Sequence, residues 1–238
     1  MGHTLSKDGV KPDDSKIKAV QEFQRPTTPA EVRSFLGLVN FCSKYIPNSA
    51  TIAEPLRKLT RKEIKGNWSS EQQDAFEKLK QSLISAEVMS YYNQNAETNI
   101  IVDASPYGLG AILTQKQISG DFLPVAYASR TLTPVERRYS QTEHEDLGVY
   151  WGINRFHVYL YGMKFDVFTD HKPLDRIFIA AHVAPARIQK WVLNLQSYKF
   201  TVIYQPGHLN AADILSRSPQ PSTDNNQETE DYEIETAS

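Results

Sequence analysis

The chain has 238 residues, 40% hydrophobic and 11% aromatic, with 26 Lys and Arg against 28 Asp and Glu. That length suffices for one domain core or two small ones, and no apolar run approaches the roughly 18 residues of a membrane span. Six acids and no Lys or Arg follow Arg217, so residues 1–217 carry 26 bases against 22 acids, a net +4 that is compatible with a phosphate-backbone ligand.

The first dozen residues read as polar and turn-rich. Met1-Gly2-His3-Thr4-Leu5-Ser6 matches the short myristoylation pattern, but no polybasic second signal follows, and no basic-then-apolar leader is expected. Residues 13–23 predict a helix with Ile17, Val20 and Phe23 on one side. Thr28-Pro29-Ala30-Glu31 is a capping box with proline at the first helical position, opening a helix that carries Val32, Phe35, Leu36 and Val39. Short helical turns follow over 52–59. Ser69, with Gln72 three residues on, caps a further helix bearing Ala75, Phe76, Leu79 and Leu83.

The pattern changes near Tyr91. Segments 98–104, 110–115 and 123–129 predict three strands joined by turn signals. Thr133-Pro134-Val135-Glu136 is a second capping box, and 142–159 predicts a long helix. A fourth strand over 164–169, a helix over 188–195, a fifth strand over 200–204 and a terminal helix over 211–216 complete the order. These elements give an α/β domain with a mixed five-stranded sheet and flanking helices. The tail from 218 is acidic and rich in Pro, Ser and Asn, which predicts disorder.

Four carboxylates fall where this fold can gather them. Asp103 ends the apolar run Ile100-Ile101-Val102, Asp170 ends Phe165–Thr169, Glu145 lies on the long helix, and Asp213 follows the last strand. Strand ends in apolar runs are poor places for idle carboxylates. Hard oxygen donors in such a group suit divalent metal, and two such ions about 4 Å apart are a common device for phosphodiester cleavage. Glu143, two residues from Glu145, is a rival for the same role. Cys42, the single cysteine, excludes an internal disulfide and suits a reducing cytoplasmic or nuclear compartment.

Several strings in this order carry a family resemblance. They include Glu31–Leu38, Trp68-Ser69 with Ala75-Phe76, and Asp103-Ala104-Ser105. Further on come Gly108-Leu109-Gly110-Ala111, Ala128-Ser129-Arg130, Thr169-Asp170-His171-Lys172-Pro173-Leu174, Pro206-Gly207 and Ala212–Arg217. Together they resemble the reverse transcriptase and ribonuclease H region of gypsy-class LTR retrotransposon polyproteins. The resemblance implies an end-of-palm segment at 1–12, a small all-helical thumb or connection-like region at 13–90, a ribonuclease H-like α/β domain at 91–217 and an acidic tail at 218–238.

It also implies hydrolysis of the RNA strand of an RNA–DNA hybrid, with Asp103, Glu145, Asp170 and Asp213 holding two Mg²⁺, or Mn²⁺ in their place. No small-molecule cofactor beyond metal and no membrane partner is expected; oligomeric state is left open. Expected nucleic-acid contacts are Ser105, Ser129, Arg130 and Asn210 in the α/β domain, with Arg33 and Lys44 from the thumb-like region; some ribonucleases H carry an auxiliary histidine in the loop before the last aspartate, which makes His208 a candidate for that role. The sequence holds no Tyr-x-Asp-Asp, the family's polymerase motif, so DNA synthesis is not expected from these residues. Asp146, Gly148 and Cys42-Ser43 depart from the family pattern, which keeps a second reading open: a non-catalytic retroelement-derived nucleic-acid-binding or interaction module.

Overall fold

The computed structural model describes residues 3–7, 9–61, 67–170, 185–206 and 232–233. The chain opens with a hairpin of β1 (His3–Ser6) and β2 (Gly9–Pro12), where the sequence shows only polar, turn-rich chain. Four-residue strands carry too little alternation to announce themselves. This pair is fastened from a distance: Val10 and Met89 exchange backbone hydrogen bonds of 2.8 and 2.9 Å. Gly9 has φ 139°, and a Cβ there would lie 2.1 Å from the Met89 carbonyl oxygen, so glycine is required.

Helices α1 (Asp14–Gln21), α2 (Pro29–Phe41), α3 (Ser49–Ile52), α4 (Glu54–Lys58) and α5 (Ser70–Ile84) follow. Both halves of the Thr28–Glu31 and Ser69–Gln72 capping boxes are formed. Each such cap contributes about 1 kcal/mol by satisfying backbone N–H groups that the first turn leaves unpaired. The apolar stripes of α2 and α5 meet, with the Phe35 and Phe76 ring centres 4.6 Å apart.

The main sheet is mixed. Its strands are β3 (Thr98–Ala104), β4 (Gly108–Lys116), β5 (Phe122–Thr131), β6 (Lys164–Thr169), β7 (Lys199–Tyr204) and β8 (Tyr232–Glu233), in the order β5-β4-β3-β6-β7-β8. β3, β6 and β7 run parallel; β4 pairs antiparallel with β3, and β5 antiparallel with β4. The five principal strands fall within two residues of their predicted bounds. The sixth corrects an expectation. Part of the acidic tail is not structureless: Tyr232 and Glu233 pair antiparallel with Val202 and Thr201. Backbone pairing on an open edge needs no apolar side chain, so composition does not reveal it.

The predicted helix over 142–159 is two. α6 (Gln141–Arg155) stops where Phe156 takes φ −100° and ψ 19°, and α7 (His157–Leu160) continues in a new direction. The break keeps both Phe156 and Leu160 in the core. α8 (Ala186–Leu195) packs on α6 through Trp191, whose ring stacks 5.8 Å from that of Tyr150.

Alternation along β3 and β4 divides the sheet between two layers. Ile100, Val102, Ala111 and Leu113 face Val149 and Ile153 of α6. Ile112 and Tyr127 face the other way and belong to the core of the helical region, with Val32, Phe35, Leu56 and Phe76. The helices of the first ninety residues are therefore a layer of the same molecule, packed on the outer face of β4 and β5.

Candidate active site

α6 begins at a further capping box, Ser140–Glu143, which the sequence pattern alone did not single out. The Glu143 carboxylate accepts from Ser140 N at 2.9 Å and lies 3.4 Å from Arg187 Nε. Its rivalry with Glu145 has a geometric answer: Glu143 is engaged at the cap. Two residues on, about 200° round the helix, Glu145 turns inward and is 3% exposed. Gln141 Nε2 donates to its Oε1 at 2.5 Å, while Oε2 is buried with no hydrogen-bond partner.

The β3–β6 register pairs Ile101 with Phe168. Two residues further along come Asp103, near the end of β3, and Asp170, just past the end of β6, both exposed. Burial, then the charge of Asp170, pushes Glu145 up to about 8 against the Gln141 hydrogen bond, with Asp103 and Asp146 adding to the rise. The surrounding protein and then Asp170 likewise raise Asp103, opposed by a hydrogen bond from Asn48 Nδ2 at 2.9 Å. Asp103 and Asp170 thus lie within electrostatic reach of Glu145, and Asp170 within reach of Asp103. Asp213, Asn210 and His208 lie outside the described residues, as does the terminal helix.

Among the described residues, no three His, Cys, Asp or Glu already form a group able to hold a metal ion. The donor set nevertheless fits a hard divalent cation. Every donor is a carboxylate oxygen, no ion pair to them is formed among the described residues, and Glu145 Oε2 is buried with no hydrogen-bond partner there.

Residues 68–167 match the model of the RNase H-like domain found in reverse transcriptase. That segment is similar to the RNase H-like domain of reverse transcriptases. The chain is similar to the retrovirus-related Pol polyproteins of Drosophila melanogaster transposons 412 (37% identical, 91% of this chain and 18% of that protein) and opus (34%, 97% and 24%). The Tf2-3 polyprotein of Schizosaccharomyces pombe is 32% identical over 91% of this chain and 17% of its own length. The chain spans about a fifth of the length of these curated relatives. Among solved structures, a foamy viral protease-reverse transcriptase in complex with RNA/DNA hybrid covers 96% of this chain and 31% of its own at a TM-score of 0.67 and 21% identity. The same enzyme with dsDNA covers 86% of this chain and 44% of its own at 0.68 and 22%. The fold is thus the ribonuclease H-like α/β fold with its flanking helices.

Other predicted contact residues of this RNase H-like domain are bonded within the protein. Ser129 Oγ pairs with Ser49 Oγ at 2.8 Å and accepts from Ala50 N at 3.0 Å. Ser105 Oγ pairs with Thr51 Oγ1 at 3.1 Å and accepts from Gly108 N. Arg130 makes a two-pronged ion pair with Glu136 at 2.7 and 2.9 Å and lies over Trp151. From the helical region, Arg33 and Lys44 are exposed, with Lys44 Nζ 4.9 Å from the Tyr45 ring centre. Asn48 and Gln141, which touch two of the acids, had no sequence signal beyond being amides near a turn and a helix start.

Proposed function

We propose that the RNase H-like domain hydrolyses the RNA strand of an RNA–DNA hybrid in a metal-dependent reaction. The observation that carries this reading is that Asp103 and Asp170 lie within electrostatic reach of Glu145, which is held partly protonated near neutral pH in the metal-free protein. A relative named as a retrovirus-related Pol polyprotein, and a structural neighbour that is a protease-reverse transcriptase in complex with RNA/DNA hybrid, support the substrate class.

Asp103, Glu145 and Asp170, with Asp213, would hold two Mg²⁺ ions. When bound, these supply charge compensation at the scissile phosphate and an attacking water that deprotonates at neutral pH. The chain's own groups do the rest. Gln141 fixes one oxygen of Glu145, leaving Oε2 free to ligate. Occupancy requires Glu145 to give up its proton, so metal binding and proton release are coupled. Asp103 and Asp170, open at the strand ends, present oxygens to the substrate side. Exposed Arg33 and Lys44 would meet phosphates, and the choice of RNA would rest on contacts to 2′-hydroxyls in the wide minor groove of the hybrid.

The deciding assay incubates the protein with an end-labelled hybrid and Mg²⁺, beside Asp170→Asn. Cleavage by the wild type alone is expected. Equal silence from both with hybrid binding retained would leave the protein a binding module.

A further inference from the structure

The Asp103 carboxylate receives its described side-chain hydrogen bond from outside the domain that carries it. The donor is Asn48, at the turn between Pro47 and α3. Asn48 has φ 49° and ψ 28°, the one left-handed non-glycine residue among those described. Asparagine tolerates that conformation better than most residues, but an ordered asparagine held there by tertiary contacts is still a local cost.

The sheet beneath explains what holds it. Asp103 stands directly opposite Gly110, and Gly110 directly opposite Ser129. The three form one row across β3, β4 and β5, on the face covered by the helices. Residues 48–50 lie along this row. Asn48 Nδ2 donates to Asp103 Oδ2 at 2.9 Å, and Ser49 Oγ and Ala50 N bond Ser129 Oγ at 2.8 and 3.0 Å. Between these contacts Gly110 makes room. A Cβ on it would fall 1.8 Å from Asn48 Oδ1, an overlap that no small shift relieves. Thr51, bonded to Ser105, closes the same turn on the next residue pair.

We propose that Asn48 is a positioning residue for the Asp103 carboxylate, acting across the seam between the helical layer and the RNase H-like domain. A carboxylate accepts about four hydrogen bonds or ligands. With Oδ2 tied to an amide on a fixed turn, and a backbone bond from Ala104 beside it, Asp103 is held in one rotamer with acceptor capacity remaining for a hard cation. This rests on the function proposed above, but its signature is separable. Amides that orient a ligand from behind change metal affinity and turnover by roughly 10–100-fold when removed.

Three variants test it. Asn48→Gly keeps the left-handed backbone and removes the donor. Asn48→Asp keeps shape and turn preference but replaces the donor with a negative charge facing Asp103. Gly110→Ala leaves residue 48 intact and drives its side chain off the row. Mg²⁺ affinity is read by calorimetry without substrate, and kcat and KM on a hybrid separately, alongside metal-free melting.

The expected result is Mg²⁺ affinity and kcat falling by roughly 10–100-fold in Asn48→Gly, further in Asn48→Asp, with KM unchanged. Gly110→Ala should follow Asn48→Gly. Ser49→Ala, which cuts only the bond to Ser129, should lower melting while leaving Mg²⁺ affinity at the wild-type value. Asn48→Gly and Asn48→Asp both matching wild type in Mg²⁺ affinity would overturn the proposal. So would tighter Mg²⁺ binding or faster cleavage in Asn48→Gly, which would make Asn48 a shield over Asp103. If the wild type cleaves no hybrid, the proposed function fails, while the calorimetric ranking still decides the role of Asn48.

Discussion

Two adjacent acids on α6 set the pH behaviour of the metal-free protein. Burial raises Glu145 from 4.5 to about 8, and burial followed by Glu143 raises Asp146 from 3.8 to about 7. Both carboxyls hold protons more tightly folded than unfolded, so their contribution to stability is full below about pH 4 and is lost as pH rises toward 8. Melting of the metal-free protein should therefore decline between pH 5 and 8, and Glu145→Gln should flatten that slope. Asp146 is 2% exposed and neither of its oxygens has a hydrogen-bond partner. Asp146→Ala should accordingly raise stability at pH 8 by about 1–3 kcal/mol, the usual cost of an unsatisfied buried polar group; an unchanged denaturation midpoint would refute this. Gly148 is a simpler departure from the family pattern. A Cβ there would meet Ala104 Cβ at 3.8 Å, an ordinary contact. Gly148→Ala should stabilise by up to about 1 kcal/mol through helix propensity alone.

Capping boxes made several helix starts legible. Thr28–Glu31 and Ser69–Gln72 are spelled out in the sequence and formed in the structure. The Thr133–Glu136 box opens only a single tight turn, because Glu136 also holds Arg130 and accepts from Thr133 N. What stayed hidden depends on partners remote in the chain. The β1–β2 hairpin leans on Met89, and the break at Phe156 answers to the core beneath it. Asp103 and Asp170 drew notice because a carboxylate ending an apolar run is conspicuous. Asn48 was not, since its neighbours, Pro47 and Ser49, describe a turn and say nothing of what lies under it. The seam has a second polar anchor. Glu54, 2% exposed, meets Arg61 at 2.7 Å and Arg137 at 2.9 Å from the opposite side. Arg137→Ala should cost less than Glu54→Ala in urea denaturation. The first leaves Glu54 with Arg61, while the second leaves two partly exposed cations close together without the carboxylate oxygen they share.

At the scale of the molecule, the helical region and the sheet were read as successive domains, yet they share apolar contacts. Ile112 and Tyr127 belong to the same core as Phe35 and Phe76. Sequence periodicity finds the stripe on each helix but not the surface it will meet, and alternation on β4 looks the same whichever layer covers it. Cooperative unfolding follows. Phe35→Ala should cost about 3–5 kcal/mol and should reduce hydrogen-exchange protection of β4 amides along with those of α2. Loss of protection in α2 alone would show that the two layers open independently.

The row Asp103–Gly110–Ser129 also bears on how transplantable the RNase H-like domain is. The family match begins at residue 68, but the turn lying across that row is residues 48–51. A chimera that grafts residues 68 onward behind a foreign polymerase inherits the acids and leaves their roof behind. Gly110 would then be a notch with nothing seated in it, and Ile112 and Tyr127 a bare apolar floor. The workable splice point lies upstream of Pro47, or in a host that presents its own left-handed asparagine to the same notch.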